Sequence, residues 1–187
     1  MSKPSSAALA LAAGLALLAG CASQAPAPAP QPAPAAAPDA NAWTTRLATL
    51  KAGLEAATQG TGVTLEQTAD HRLRIVLPGD RSFAVGRAVP SRELSAVLDR
   101  IAEGLRGTTR AAILIVGHTD ATGGASANEK LSLARADNAR SHMVARGVLG
   151  SIVRAEGHGE REPVAGNDTA AGRAQNRRVE ILVSDRD

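Results

Sequence analysis

The sequence predicts a two-layer α/β sandwich. Segments with strand and helix character alternate along the chain, a continuous apolar run marks a buried strand, and glycine-rich breaks separate the elements. Asn41 to Thr58 reads as a helix, because Trp43, Leu47, Leu50 and Leu54 recur at helical spacing. Gly60-Thr61-Gly62 breaks it. Val63–Thr68 and Leu73–Leu77 read as two strands joined by a turn at Ala69-Asp70-His71, with Leu73, Ile75 and Leu77 on one face. Pro78-Gly79-Asp80 is a further turn. Ser91 is an N-cap signal for a helix whose inner face is Leu94, Val97, Leu98, Ile101 and Leu105, ending near Gly107. Ala111–Val116 reads as a strand buried on both faces. Asn128 to about Arg146 reads as a long helix with Gly147 as its stop signal. Ile152–Glu156 and Val179–Val183 are strands around a long loop, Gly157–Gly172.

Composition narrows the function. The 187 residues hold one Trp, one Phe and no Tyr, so the core is aliphatic. Base stacking on aromatic side chains is thereby disfavoured, and 21 basic against 18 acidic residues form no basic stripe. Nucleic acid is not an expected partner. A single cysteine excludes an internal disulfide and a multi-cysteine zinc site.

That cysteine ends an N-terminal segment with the features of an address. Lys3 precedes an apolar stretch, Ala7–Ala19, too short to span a bilayer core that needs about 20 residues. Leu18-Ala19-Gly20-Cys21 resembles the lipobox of bacterial lipoproteins. The resemblance implies a signal peptide over 1–20, cleavage before Cys21, and acylation of Cys21. Outer-membrane lipid then becomes a partner, and Ala22 in place of Asp fits outer-membrane sorting. Residues 22–40 carry six of the ten prolines. Polyproline II geometry would let such a disordered tether reach on the order of 60 Å. The expected organisation is a signal peptide (1–20), lipidated Cys21 and tether (21–40), an N-terminal helix (41–60) and the folded domain (61–187).

The segment richest in chemistry is Gly117-His118-Thr119-Asp120-Ala121-Thr122-Gly123, followed by Asn128-Glu129-Lys130-Leu131-Ser132-Leu133-Ala134-Arg135-Ala136. A strand end throws Thr119 and Asp120 into a glycine-permitted loop, and the next helix carries Arg135 two turns in. A carboxylate and a guanidinium facing one pocket suit a ligand with both an ammonium and a carboxylate, because Arg presents a planar fork to the latter. Amides of the helix's first turn add anion affinity. The residues alone leave open the alternative that Asp120 and Arg135 merely pair with each other.

Here the sequence resembles the peptidoglycan-binding domain of the OmpA C-terminal and Pal family. Its pattern T-D-x-x-G-x-x-x-x-N-x-x-L-S-x-x-R-A is met by Thr119, Asp120, Gly123, Asn128, Leu131, Ser132, Arg135 and Ala136. Pro78-Gly79-Asp80 with Phe83, Gly157-His158-Gly159 with Pro163, and Asn176-Arg177-Arg178-Val179-Glu180 follow in the family's order. The resemblance covers roughly residues 72–185. It implies a mixed sheet with helices on one face and no catalysis. The implied ligand is the diaminopimelate of peptidoglycan stem peptides. Asp120 would receive its ammonium and Arg135 its carboxylate, with Thr119 and the amides of Asn128 to Leu131 completing the cradle and Phe83 at its edge. Ala127 stands where relatives carry Tyr, and Phe83-Ala84 replaces a Phe-Asp pair.

Two rivals compete with that reading. A cell-wall metal hydrolase would need about four converging ligands, or three plus water. His118 and Asp120 form an H-x-D pair, but no H-E-x-x-H occurs and His142 and His158 lie far off in sequence. No G-x-S-x-G elbow or P-loop is present either. No metal and no cofactor are therefore expected. The other rival is an adaptor for an envelope protein, such as a Tol-type or secretion-assembly partner, which is compatible with wall binding. Asn176 is expected to act as a cap or turn residue. Arg177 and Arg178 are expected to alternate across a strand, one of them able to support the site.

Overall fold

In the computed structural model, residues 43–186 are described except Arg81 and Val85. The predicted signal peptide, Cys21, the tether and the first residues of the predicted N-terminal helix lie outside the described residues.

The sandwich is mixed, as expected. Five strands lie in the order β1-β2-β5-β3-β4: β1 (Thr64–Gln67), β2 (Leu73–Pro78), β3 (Ala111–His118), β4 (Val153–Gly159) and β5 (Arg178–Asp185). Only β3 and β4 run parallel; β2 and β3 flank β5 antiparallel, and β1 closes the far edge against β2. Three helices supply the second layer: α1 (Thr45–Thr58), α2 (Arg92–Leu105) and α3 (Ala125–Ala145). A short α4 (Ala170–Asn176) precedes β5.

Period-two burial builds the core. Leu73, Ile75 and Leu77 of β2, Ile113 and Ile115 of β3, and Val179, Ile181 and Val183 of β5 are buried together with Leu94, Leu98, Ile101 and Leu105 of α2. Burying each such side chain contributes about 1.5–3 kcal/mol. The helix caps behave as their residue types dictate. Ser91 Oγ accepts from the Leu94 amide at 3.0 Å, and Thr44 Oγ1 from the Leu47 amide at 3.2 Å. The second cap starts α1 at Thr45, four residues later than the apolar spacing alone predicts.

α3 sits on the parallel pair at backbone distance. Gly117 and Gly157 are opposite each other, and a Cβ added to them would lie 2.1 Å from Ser132 O and 2.5 Å from Leu133 N. Ser132 Oγ then accepts from the Gly159 amide at 2.9 Å, fixing the helix to the end of β4. α3 begins at Ala125, with Gly124 as N-cap, rather than at Asn128. α4 occupies part of what the sequence presents as a long loop. It makes Arg177 a helix C-cap and Arg178 the first residue of β5, so the two do not alternate across a strand.

Alternate residues of the strands face away from the core cluster. Arg74, Glu180 and Arg178 form an ion-paired row there, Glu180 accepting from Arg74 at 2.5 and 2.7 Å and from Arg178 at 2.6 Å. His118, 1% exposed, lies beside them. Burial, reinforced by the Arg178 charge, pushes its imidazole down to about 4, so the ring is neutral at ordinary pH.

Candidate functional site

The end of β3, the loop after β2 and the first half of α3 enclose a cavity of about 410 Å³. All six sequence-predicted residues line it: Phe83, Thr119, Asp120, Asn128, Leu131 and Arg135. Asp80, Thr122, Arg173 and Arg177 join them. The volume lies within the usual range of ligand sites, about 300–1,000 Å³.

Asp120 and Arg135 do not form an ion pair. Asp120 Oδ2 instead accepts from Arg177 Nη1 at 2.6 Å, and its Oδ1 from the Thr122 amide at 2.9 Å. Burial alone pushes the Asp120 carboxyl up, but these hydrogen bonds and the Arg177 charge hold it below the usual carboxylate value of 3.8. An ionised carboxylate offers about four lone-pair sites. Two are used here, so Asp120 keeps acceptor capacity toward the cavity.

Arg135 is 4% exposed. Its Nε donates to Arg87 O at 3.0 Å, and its guanidinium lies 4.9 Å above the centre of the Phe83 ring. The two terminal nitrogens have no partner among the described residues, while the side chain lines the cavity. Phe83, expected at the rim, is 6% exposed and serves as the floor beneath this guanidinium. Burial and the Arg177 charge draw the Arg135 pKa down against the pull of Asp120. A guanidinium stays charged nonetheless.

Thr119 is fixed by its amide, which donates to Gly159 O at 2.8 Å. Its hydroxyl is buried without a hydrogen-bond partner among the described residues. Asn128 does not present free amide chemistry: its N–H donates to Gly124 O at 3.0 Å. Because α3 starts earlier than expected, the first-turn amides lie at 124–127 and not at 128–131. The Asn128 side chain instead ties loops together, donating to Asp120 O at 3.2 Å and to Glu160 Oε2 at 2.6 Å.

Arg177 is the residue the sequence reading underweights. It donates to Asp80 Oδ1 at 2.8 and 2.5 Å as well as to Asp120. The approach is close because Gly79 packs on it: the Gly79 amide donates to Arg177 O at 2.7 Å, and a Cβ on Gly79 would fall 2.0 Å from that oxygen. Asn176, fully buried, holds the preceding loop. Its Oδ1 accepts from the Val164 and Ala165 amides at 2.8 and 3.0 Å, and its Nδ2 donates to Ala165 O and Asn167 Oδ1. The loop role expected of it is the one it has. The Asn-Arg-Arg run carries the available signal, but the pairing of Arg177 with Asp120 spans 57 residues. His118 and Asp120 diverge, since only Asp120 lines this cavity.

A mixed sheet with helices on one face, and a charged cavity at the end of β3, define a small α/β recognition domain. The chain belongs to the OmpA family, whose model matches residues 82–177. Similarity extends to "Probable lipoprotein YiaD" of Escherichia coli K12, 36% identical over 126 residues, which are 67% of this chain and 57% of that protein. The "Peptidoglycan-binding protein ArfA" of Mycobacterium tuberculosis is 43% identical over 88 residues, 47% of this chain and 27% of that one. The chain thus spans about three fifths or less of the curated relatives it matches. Among solved structures, the cell wall anchor of the T6SS from Pseudomonas aeruginosa superposes with a TM-score of 0.63 at 36% identity, covering 74% of this chain and 96% of that one.

Proposed function

We propose that this chain is an outer-membrane lipoprotein that holds the membrane to peptidoglycan without a covalent bond, by gripping the diaminopimelate of stem peptides. The observation that carries the reading is the cavity itself. It brings into one space an ionised carboxylate with spare acceptor capacity, a guanidinium whose terminal nitrogens have no partner among the described residues, and a Thr119 hydroxyl likewise without one. A zwitterionic side chain satisfies all three. Its ammonium meets Asp120, its carboxylate meets Arg135, and Thr119 offers a donor or an acceptor to either. Relatives named as peptidoglycan-binding, lipoprotein and cell wall anchor support the class of ligand and the setting. Cys21 would carry the lipid and residues 22–40 the span between membrane and wall. No bond is made or broken in this function, and avidity over many tethers multiplies a modest single contact.

Binding of the chain to purified sacculi and to free diaminopimelate tests the reading. Asp120→Asn and Arg135→Ala should each weaken binding by tenfold or more, since a charge-assisted hydrogen bond contributes about 1.5–3 kcal/mol. Circular dichroism of both variants should match the wild type. A wild type that ignores sacculi would leave the adaptor reading in its place.

A further inference from the structure

We infer that the domain carries a second site, on the far side of β3 from the cavity, in which His118, His158 and Glu162 bind a borderline divalent cation of the zinc type. The inference is independent of wall binding, and the groove that holds these residues shares none with the cavity.

The geometry originates in an irregular register. Gly117 pairs with Gly157 but His118 with Gly159, which leaves His158 as the extra residue of a bulge in β4. Such a bulge re-aims a side chain at a strand end. Here it brings the two imidazoles edge to face, with ring centres 5.5 Å apart. The loop after β4 then returns Glu162, placing its Oε1 3.0 Å from His158 Nδ1. One ligand atom from each of the three residues lies within 4.8 Å of the others. Zinc bonds of about 2.0–2.1 Å require tetrahedral edges of about 3.3 Å. One edge is nearly met already, and the other two close by rotation of side chains that are not packed solid: those of His158 and Glu162 are 24% and 59% exposed.

His118 is the observation that asks for a ligand. It is 1% exposed, and neither ring nitrogen has a hydrogen-bond partner among the described residues. Glu180 lies 3.7 Å from its Nε2, yet that carboxylate is already shared by Arg74 and Arg178. A buried imidazole with both nitrogens idle loses its hydration without return, and a cation in the groove would supply the missing partner. Two imidazole nitrogens, one carboxylate and an open fourth position for water make a donor set that suits zinc and not magnesium, which demands six oxygens. Glu156, 3.3 Å from His158 Nε2, is placed to orient that ring as an outer-shell carboxylate.

The test uses the full chain without a polyhistidine tag, stripped of metal, titrated with zinc by calorimetry and with cobalt by visible absorption. The expected result is one ion per chain with the cobalt spectrum of a four-coordinate site, and no uptake of magnesium. His158→Gln and Glu162→Gln, both at accessible positions, should each weaken zinc at least tenfold and remove the zinc-induced rise in melting temperature. His142→Gln, a surface histidine paired with Asp99, should bind as the wild type does. Absence of stoichiometric zinc uptake would overturn the assignment, as would uptake unchanged in both His158→Gln and Glu162→Gln. The outcome does not depend on whether His118→Gln folds.

Discussion

Asp120 owes its charge state to a balance between burial, which raises its pKa, and Arg177 together with the Thr122 hydrogen bonds, which lower it. A depressed carboxyl stabilises the fold above its unfolded value of 3.8, and that contribution is lost as pH falls through the folded value. The site should therefore keep its negative charge down to pH 4. Arg177→Ala leaves only the Thr122 hydrogen bonds to oppose burial, so the Asp120 titration should move up, as a carbon-detected NMR titration of the carboxyl would read. An unchanged midpoint would refute that balance. The stability cost should stay within about 1 kcal/mol, because Arg177 is partly solvated. Asp120 and Arg135 are legible in the sequence because they sit within one short motif joined by a loop and nearly three helical turns. Arg177 is not, because nothing in residues 170–177 says that a helix will end there and aim its last side chain back at β3. His118 and His158 are illegible as a pair for the same reason: adjacency of β3 and β4 and a one-residue bulge bring them together.

Among the elements, α3 and the parallel pair it rests on depend most on the absence of side chains. Gly117→Ala forces a methyl to 2.1 Å from Ser132 O, where no flexible atom can give way. It should cost about 1–3 kcal/mol in urea unfolding. Gly53→Ala is the contrast: it lies exposed in α1 with nothing within 4 Å of an added Cβ, and should stabilise by about 0.5–1 kcal/mol. Equal effects at the two positions would mean that close packing of α3 does not set the first. α2 is read correctly from sequence because periodic burial writes it there. β3 is legible as a continuous apolar run but is not buried on both faces as expected, Ala112 and Leu114 being only half-buried on the face without helices. α4 is not legible, since Ala170–Asn176 has no apolar period. It is held by the Thr169 cap, which accepts from the Gly172 amide at 3.0 Å, and by buried Asn176, whose side chain binds the loop before the helix.

For the molecule as a whole, the alternation of elements predicts two layers, but not that the last strand lies in the middle. β5 lies between β2 and β3, and its pairing with β2 joins residues 100 to 110 positions apart. Local pattern carries no record of such contacts. The division between a folded domain and the segment before it makes a separate prediction. Deleting residues 25–38 should leave binding to isolated sacculi unchanged, because the cavity lies within 79–177. On the proposed tether reading, the same deletion should detach the protein from the wall in cells, since about 40 Å of reach would be lost. Retained attachment would show that the segment is dispensable as a spacer.

The clamp between α1 and the end of β5 gives this arrangement a mechanical sense. Thr44 and Arg46 both hold Asp185, so tension drawn along the N-terminal segment enters at one end of the central strand. Arg177, in the cavity, immediately precedes the other end. In the proposed tether, tension between membrane and wall would run along β5, parallel to its axis. Its hydrogen bonds to β2 and β3 are loaded in shear and must yield together, whereas an edge strand pulled sideways would unzip one bond at a time. Asp185→Ala should divert the load into α1 and lower the rupture force in single-molecule pulling, with the equilibrium stability of the sheet little changed.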